Sequence, residues 1–197
     1  MACGKQAKTI SLRQEQMILR ELDNNRYPKR DKVMLLLSVK AGLRAKEIAC
    51  LTWEMVMDSG SDIGHEITLE NRASKGKSGG RVIPLHPTLR NALGDLYRSR
   101  NGKTLSSWSV IHSERGRSMS PSSVAVWFHR LYQRLGLIGC SSHTGRRTFI
   151  TRASRKIVEA GGSLRDVQQL AGHASLATTQ LYIEGSSEAK RRVVELI

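Results

Sequence analysis

Apolar positions recur along this chain with two periods, and the change of period divides it into helical and extended segments. Ser11 and Gln14 form a capping pair that predicts a helix through about Leu22. Positions 31–41 are apolar on almost every side, which predicts a buried helix that ends at the following glycine. A short helix over positions 45–51 completes this first helical segment.

The period then changes from that of a helix to that of a strand. Positions 65–70 and 81–85 alternate between apolar and polar residues, and the segment between them is rich in Gly, Ser and Lys. We predict a small antiparallel hairpin whose exposed tip spans positions 71–80.

Helical periodicity returns in the second half of the chain. Pro87 predicts a helix to about Arg98, and Ser120 with Pro121 predicts another. The apolar stripe of that second helix consists of Val124, Trp127, Phe128, Leu131 and Leu135. A third helix, after Gly139, has one apolar face formed by Phe149, Ile150, Ala153 and Ile157.

The C-terminal part contains a second capping pair and a late tyrosine. Ser163 with Asp166 predicts the start of a helix. Its buried side is predicted to consist of Leu164, Val167 and Leu170. A further helix is predicted to hold Tyr182, and the tail over positions 187–197 is predicted to be a short amphipathic helix.

These elements predict a fold that is mainly α with a small antiparallel β-sheet, in the α+β class. We expect one domain over residues 11–185, preceded by a flexible basic leader at residues 1–10. The apolar face of the tail helix at residues 186–197 is narrow, so we expect this helix to dock on a neighbouring subunit.

Net charge indicates the kind of partner. The 197 residues include 32 Lys and Arg against 17 Asp and Glu, and this net charge of +15 indicates a polyanionic binding partner. The longest apolar stretch, 33–39, is too short to span a bilayer, and the opening residues lack a secretory signal. Cys3, Cys50 and Cys140 are widely spaced, which is typical of reduced thiols in a cytosolic protein and not of a disulfide framework or a zinc site.

Five polar side chains are suited to phosphoryl transfer. Arg44 and Arg146 carry planar, permanently charged guanidiniums that bind phosphate oxygens. His143 precedes Arg146 by one helical turn, and Tyr182 follows His173 by nine residues. Each has an ordinary alternative when it stands alone: a surface arginine, a helix-cap histidine or a core tyrosine. Their joint occurrence in one basic chain favours attack of a phenol oxygen on a phosphodiester.

The order of these residues resembles that of the tyrosine recombinase (phage integrase) family. Residues 41–48, AGLRAKEI, resemble its first arginine box. Residues 74–77 with 81–85 resemble its hairpin lysine region, the HTGR at 143–146 its second box, and residues 170–182 its third. The resemblance covers nearly all of the chain.

The resemblance implies a catalytic set and a role for each member. The set is Arg44, Lys75, His143, Arg146, His173 and Tyr182, supported by Glu47. Tyr182 is the implied nucleophile, the two arginines bind the non-bridging oxygens, and Lys75 protonates the leaving 5′ oxygen. His143 assists proton removal from the tyrosine, His173 donates a hydrogen bond to the phosphate, and Glu47 orients these groups. The expected DNA contacts around the set are Lys77, Arg81 and Arg147.

The resemblance also implies a site-specific DNA recombinase that works through a 3′-phosphotyrosyl intermediate and a Holliday junction, with no metal or cofactor. The implied partners are double-stranded DNA with specific recombination sites, three further copies of the chain in a tetramer on that DNA, and accessory DNA-bending proteins. We expect the free protein to be monomeric, cytoplasmic and associated with the nucleoid, in a bacterial, phage or mobile-element context. Two alternatives remain: DNA relaxation of the type IB topoisomerase kind, and a catalytically silent DNA-binding regulator.

The chain departs from the family pattern at two points. Gly145 stands where the family commonly has leucine, and it is expected to loosen the helix start by up to about 1 kcal/mol. The segment before the first helix is too short for the N-terminal core-binding domain that most family members carry. We therefore expect either an excised catalytic domain or a short recombinase similar to the fimbrial-switch invertases.

Overall fold

A computed structural model describes residues 7–73, 80–100, 108–116, 118–182 and 194–195. Within these ranges the chain is mostly α-helical and has one two-stranded antiparallel sheet, so the predicted fold class is confirmed. The helices are α1 (Leu12–Leu22), α2 (Pro28–Lys40), α3 (Ala45–Cys50), α4 (Pro87–Arg98), α5 (Pro121–Arg134), α6 (Thr144–Lys156), α7 (Leu164–Ala171) and α8 (Leu176–Gln180). The strands are β1 (Glu66–Leu69) and β2 (Arg81–Pro84).

Local signals set most helix starts. The Ser11 hydroxyl accepts the Gln14 backbone N–H at 3.1 Å, and the Gln14 side chain accepts the Ser11 N–H at 2.9 Å. Helix α2 begins at Pro28, three residues before the predicted start, because a polar first turn precedes the apolar run.

Tyr182 lies outside the helix that was predicted to hold it. Helix α8 ends at Gln180, and the Tyr182 N–H donates to the Thr179 carbonyl at 3.0 Å in the turn that follows. That prediction is therefore wrong, and the tyrosine is carried by a turn.

Helix α2 is the centre of the core. Its residues Val33–Leu37 are almost completely buried, and the helix packs against α1, α4 and α6, while α3 packs against α5. Trp53 and Phe128 are among the largest buried side chains of the core. Within the apolar stripe predicted for α5, Trp127 and Leu135 are only half-buried.

Ile10 belongs to this core and not to a flexible leader. Its side chain is 3% exposed, and its N–H donates to Thr148 Oγ1 at 3.0 Å. Its carbonyl accepts an N–H from Arg152 at 3.0 Å, so this part of the predicted leader is fixed to α6. Residues 1–6 of the predicted leader and most of the predicted tail lie outside the described residues.

The predicted antiparallel hairpin forms between β1 and β2. Leu69 pairs with Arg81 and Ile67 with Ile83, which puts Arg81 at the first position of β2. Most of the predicted tip, residues 74–79, lies outside the described residues.

Gly145 allows helices α2 and α6 to approach each other closely. A Cβ atom at this position would lie 2.2 Å from the Ser38 hydroxyl oxygen and 3.0 Å from Val39 Cγ1. Gly145 is inside α6 and buried, so the helix starts despite the glycine and the close packing requires it.

A second, smaller core lies between α6 and α7. It is formed by Ile150, Val167 and Ala171, and Tyr182 packs against its edge. This small core therefore joins the helix of Arg146 to the turn of Tyr182. Within the described ranges, no helix has the length and apolar character needed to cross a membrane.

Candidate active site

Five elements bring the predicted polar residues together. They are the junction of α2 and α3, the start of β2, the first turn of α6, the end of α7 and the turn after α8. The junction depends on Gly42, which has φ +66° and on which a Cβ would lie 2.4 Å from the Phe149 ring.

Arg146 is held by two backbone carbonyls from different parts of the chain. It donates to the Gly42 carbonyl at 2.8 Å and to the Ala171 carbonyl at 2.6 Å, and its side chain is almost completely buried. Burial, and then the charges of Arg44 and Arg81, lower the pKa of Arg146 to about 10, while Glu47 and Tyr182 oppose the shift. The guanidinium stays charged at neutral pH, and its remaining N–H groups are suited to a phosphate.

Glu47 links the backbone and the side chain of Arg44. One carboxylate oxygen accepts the Arg44 N–H at 2.8 Å, and the other accepts Arg44 Nη1 at 2.9 Å. Burial alone would raise the pKa of Glu47, but the hydrogen bonds and charges of Arg81 and Arg44 hold the pKa below its ordinary 4.5. The Arg44 side chain is 27% exposed, so it reaches the surface of the site.

Arg81 also pairs with Glu47 and is not placed as a surface DNA contact. Its Nη1 and Nη2 atoms donate to the two Glu47 oxygens at 2.9 and 3.1 Å, and its side chain is 7% exposed. Its expected role as a DNA contact stays a prediction. The alternation of side chains along the strand indicates this burial in the sequence, because Arg81 points to the same face as the buried Ile83 and Leu85.

His173 is a neutral imidazole against the arginines. Burial, and then the charges of Arg146, Arg44 and Arg81, lower its pKa from 6.5 to about 4. Its Nδ1 lies 2.9 Å from the hydroxyl oxygen of Thr179, which is fully buried. Thr179 lies within the third box, at residues 170–182, and the structure makes it the partner of the histidine.

Tyr182 lies against His173 at the edge of the site. The two rings stack with centroids 5.5 Å apart and an angle of 25° between their planes. The Arg147 guanidinium carbon lies 5.6 Å from the tyrosine ring centroid, so Arg147 contacts the predicted nucleophile. Its expected role as a phosphate contact stays a prediction.

His143 and the hairpin lysines complete the predicted set. His143 is exposed at the start of α6, and its N–H donates to the Ser141 hydroxyl at 3.3 Å. Lys75 and Lys77 lie outside the described residues, so their roles stay predictions. Among the described residues, no group of His, Cys, Asp or Glu side chains is arranged to hold a metal ion.

The cluster carries a net positive charge suited to a phosphodiester. The guanidiniums of Arg44, Arg81 and Arg146 face the single Glu47 carboxylate, which leaves a charge of +2 beside a neutral histidine and a phenol. Three fixed guanidiniums around one carboxylate can stabilise charge that grows on phosphate oxygens.

Known proteins with similar sequences are named tyrosine recombinases. The Shewanella amazonensis protein named tyrosine recombinase XerC is 33% identical over 154 residues, 78% of this chain and 48% of that protein. The Pyrococcus horikoshii protein named tyrosine recombinase XerA is 32% identical over 169 residues, 84% of this chain and 54% of that protein. The chain therefore spans about half the length of the curated relatives it matches.

Solved structures share the fold. A crystal structure of XerA recombinase superposes with a TM-score of 0.74 at 22% identity, over 95% of this chain and 64% of that one. A λ integrase dimer bound to a COC′ core site superposes with a TM-score of 0.67 at 18% identity, over 90% of this chain and 48% of that one. The sequence profile described as the Phage integrase family matches residues 8–188. With a profile match over nearly its whole length, the chain belongs to the phage integrase family of tyrosine recombinases.

Proposed function

We propose that this chain is the catalytic part of a site-specific DNA recombinase that cuts and rejoins DNA through a covalent bond to Tyr182. The observation that carries the proposal is the +2 guanidinium cluster with neutral His173 stacked on that tyrosine. A dianionic transition state forms when a phenolate attacks a phosphodiester, and this charge matches the cluster.

In this proposal the phosphate is held by Arg44 and Arg146. Arg146 is fixed by the Gly42 and Ala171 carbonyls, so it needs no reorganisation when the phosphate arrives. Arg44 is paired with Glu47, and its partly exposed side chain reaches the surface of the site. Each arginine is worth roughly 3–4 kcal/mol of transition-state stabilisation, by analogy with an oxyanion-hole donor.

The chemical step joins the Tyr182 oxygen to phosphorus and breaks the bond from phosphorus to the 5′ oxygen. The 3′ side stays attached to the enzyme, so the ester bond energy is kept for rejoining. His143 takes the phenol proton, and Lys75 gives a proton to the leaving 5′ oxygen. His173, as a neutral imidazole, donates one hydrogen bond to the phosphate.

Strand exchange requires a second DNA end. Its 5′ hydroxyl attacks the phosphotyrosine, releases Tyr182 and forms a Holliday junction, within a tetramer on two sites. The solved XerH recombinase bound to its difH substrate and the λ integrase dimer on a core site support DNA as the partner. Action at the nucleoid in the cytoplasm, with accessory DNA-bending proteins, is part of the same proposal.

Capture of covalent protein–DNA adducts tests the proposal. Adducts from cells that express the protein are isolated under denaturing conditions, and the attached DNA ends are sequenced. We expect adducts at defined sites with the wild type and with Tyr27→Phe, and none with Tyr182→Phe, because only the last variant lacks the attacking oxygen. Tyr27 is a matched control, since it lies at the far end of α2.

Measurements of DNA affinity and of supercoil relaxation make the test more specific. DNA affinity of Tyr182→Phe should equal that of the wild type, because the phenol oxygen acts only in the chemical step. Adducts that persist in Tyr182→Phe would show that another residue is the nucleophile. Supercoil relaxation without two-site recombination would favour the topoisomerase alternative.

A further inference from the structure

We propose that Arg81 is a positioning residue that fixes two phosphate-binding groups at once, Arg44 through Glu47 and His173 through the Leu170 carbonyl. The inference deepens the proposed function and rests on it. Arg81 does not touch the phosphate in this arrangement; it acts through its neighbours.

The Arg81 guanidinium bridges two elements. Its Nη1 and Nη2 atoms donate to Glu47 on α3, at 2.9 and 3.1 Å. Its Nε atom donates to the Leu170 carbonyl at the end of α7, at 2.9 Å. A planar fork with a third donor at its base can make all three bonds together, whereas a lysine ammonium cannot reproduce this geometry.

The bond to Glu47 keeps the charge of Arg44 available. Glu47 is completely buried, so its carboxylate needs positive partners. Arg81 donates two hydrogen bonds to Glu47 and so shares its negative charge. Glu47 can therefore align Arg44 without cancelling the positive charge of Arg44. Without Arg81, the cluster would have one positive charge less and Arg44 would be the main partner of the carboxylate.

The bond to Leu170 fixes the turn that carries His173. Gly172 ends α7 with φ +61°, and a Cβ on it would lie 2.8 Å from Nη1 of Arg81 and 3.0 Å from its Cδ. The turn therefore packs directly on the arginine side chain. The adjacent Ala171 carbonyl accepts a hydrogen bond from Arg146, so two arginines fix successive carbonyls beside the histidine.

Amide hydrogen exchange tests the inference without DNA. The Gly172 N–H donates to the Gln169 carbonyl at 2.9 Å, and the His173 N–H donates to the Gln168 carbonyl at 3.1 Å. In Arg81→Lys we expect these two amides to exchange at least about tenfold faster, with the amides of α1 unchanged, because the turn loses its support. The matched control is Arg90→Lys. In the wild type, the Nε of Arg90 donates to the Ile63 carbonyl at 2.9 Å, outside the site.

Cleavage kinetics supply the second readout. On DNA recovered from the adduct experiment, Arg81→Lys should slow covalent bond formation at saturating DNA roughly a hundredfold, with DNA affinity unchanged. Arg81→Gln should be slower still. Its deficit should shrink on DNA with a methylphosphonate at the scissile position, since that group carries one negative charge less.

Three outcomes would overturn the inference. Arg81→Lys could match Arg90→Lys in both readouts. Its amide exchange could accelerate throughout the protein, as expected of general structural support. Its whole deficit could appear as lost DNA affinity, which would restore the DNA-contacting role predicted from the sequence. If the wild type forms no adduct on any DNA, the proposed function fails, and the exchange at Gly172 and His173 still decides whether Arg81 fixes the turn.

Discussion

His173 can donate a hydrogen bond to a phosphate in only one of its two neutral tautomers. The proton must be on Nε2, which requires Nδ1 to accept a hydrogen bond. The Thr179 hydroxyl lies 2.9 Å from Nδ1 and is fully buried, so it is suited to donate this bond. Thr179 therefore sets the tautomer that the proposed mechanism requires.

Replacement of the Thr179 hydroxyl tests this role. In Thr179→Val the side chain keeps its shape and loses its donor, so we expect covalent adduct formation to slow roughly ten- to a hundredfold. Thr179→Ser should keep most of the rate. Thr178→Val is the matched control, because Thr178 is exposed on the same helix. The measurement is the single-turnover rate at saturating DNA, and equal rates for the two valine variants would contradict the assignment.

Helix α6 illustrates how tertiary packing decides the residues of an element. By intrinsic propensity, a glycine in the first turn of a helix is a weakness. In the folded protein, Gly145 lies against Ser38 and Val39 of α2, where a Cβ would overlap the serine side chain. This contact sets the distance between the helix of Arg146 and the central helix of the core.

A pair of substitutions at this contact measures its energy. Gly145→Ala should lower the free energy of unfolding by about 1–3 kcal/mol, as expected of an overpacked core. Adding Ser38→Gly to that variant should recover part of the loss, because it removes the nearest atoms. Gly94→Ala is the control, since the nearest atoms to a Cβ there belong to the guanidinium end of the Arg98 side chain. Denaturant unfolding gives all four values, and a Gly145→Ala variant as stable as Gly94→Ala would contradict the packing argument.

The sequence predicted the elements that depend on local signals. The capping pairs at Ser11 and Ser163, the proline at the start of α4 and the alternation of the hairpin all depend on neighbours in the chain. The approach of Gly145 to Ser38 and the bridge from Arg81 to Glu47 and Leu170 join distant parts of the chain. Such contacts leave no periodicity in the sequence. The family resemblance supplied Glu47 as an orienting group, whereas the bridge made by Arg81 and the contact of Thr179 with His173 came only from the structure.

Across the whole molecule, buried charges are paired in a way that makes the fold sensitive to acid. Glu15 on α1 pairs with Lys40 of α2 at 2.8 Å and with Arg152 of α6, and so joins three helices. Burial opposes ionisation of Glu15, but the hydrogen bonds and charges of Arg152 and Lys40 hold its pKa below 4.5. Glu47 behaves in the same way in the active site. Both carboxylates must be ionised for these pairs to form, so protonation favours unfolding.

The histidines extend this sensitivity to milder acid. In the unfolded chain His173 binds a proton near pH 6.5, but in the folded protein it does so only near pH 4. The unfolded state therefore binds more protons between these two values, and the free energy of unfolding must fall as the pH falls through this window. Desolvation, and then the charge of Lys40, lower the pKa of His86, which acts in the same direction.

The contribution of His173 can be separated from that of the carboxylates by the pH at which each acts. We expect the free energy of unfolding of the wild type to be level above pH 6.5, to decline toward pH 4, and to decline further below pH 4.5 as Glu15 and Glu47 are protonated. His173→Gln should reduce the decline between pH 6.5 and 4 to the part contributed by His86, and should keep the decline below it, because glutamine does not titrate. Urea unfolding at a series of pH values gives these profiles. Equal slopes for His173→Gln and the wild type above pH 4.5 would mean that burial and the guanidinium cluster do not suppress protonation of this histidine, and the argument for a neutral His173 beside the phosphate would lose its support.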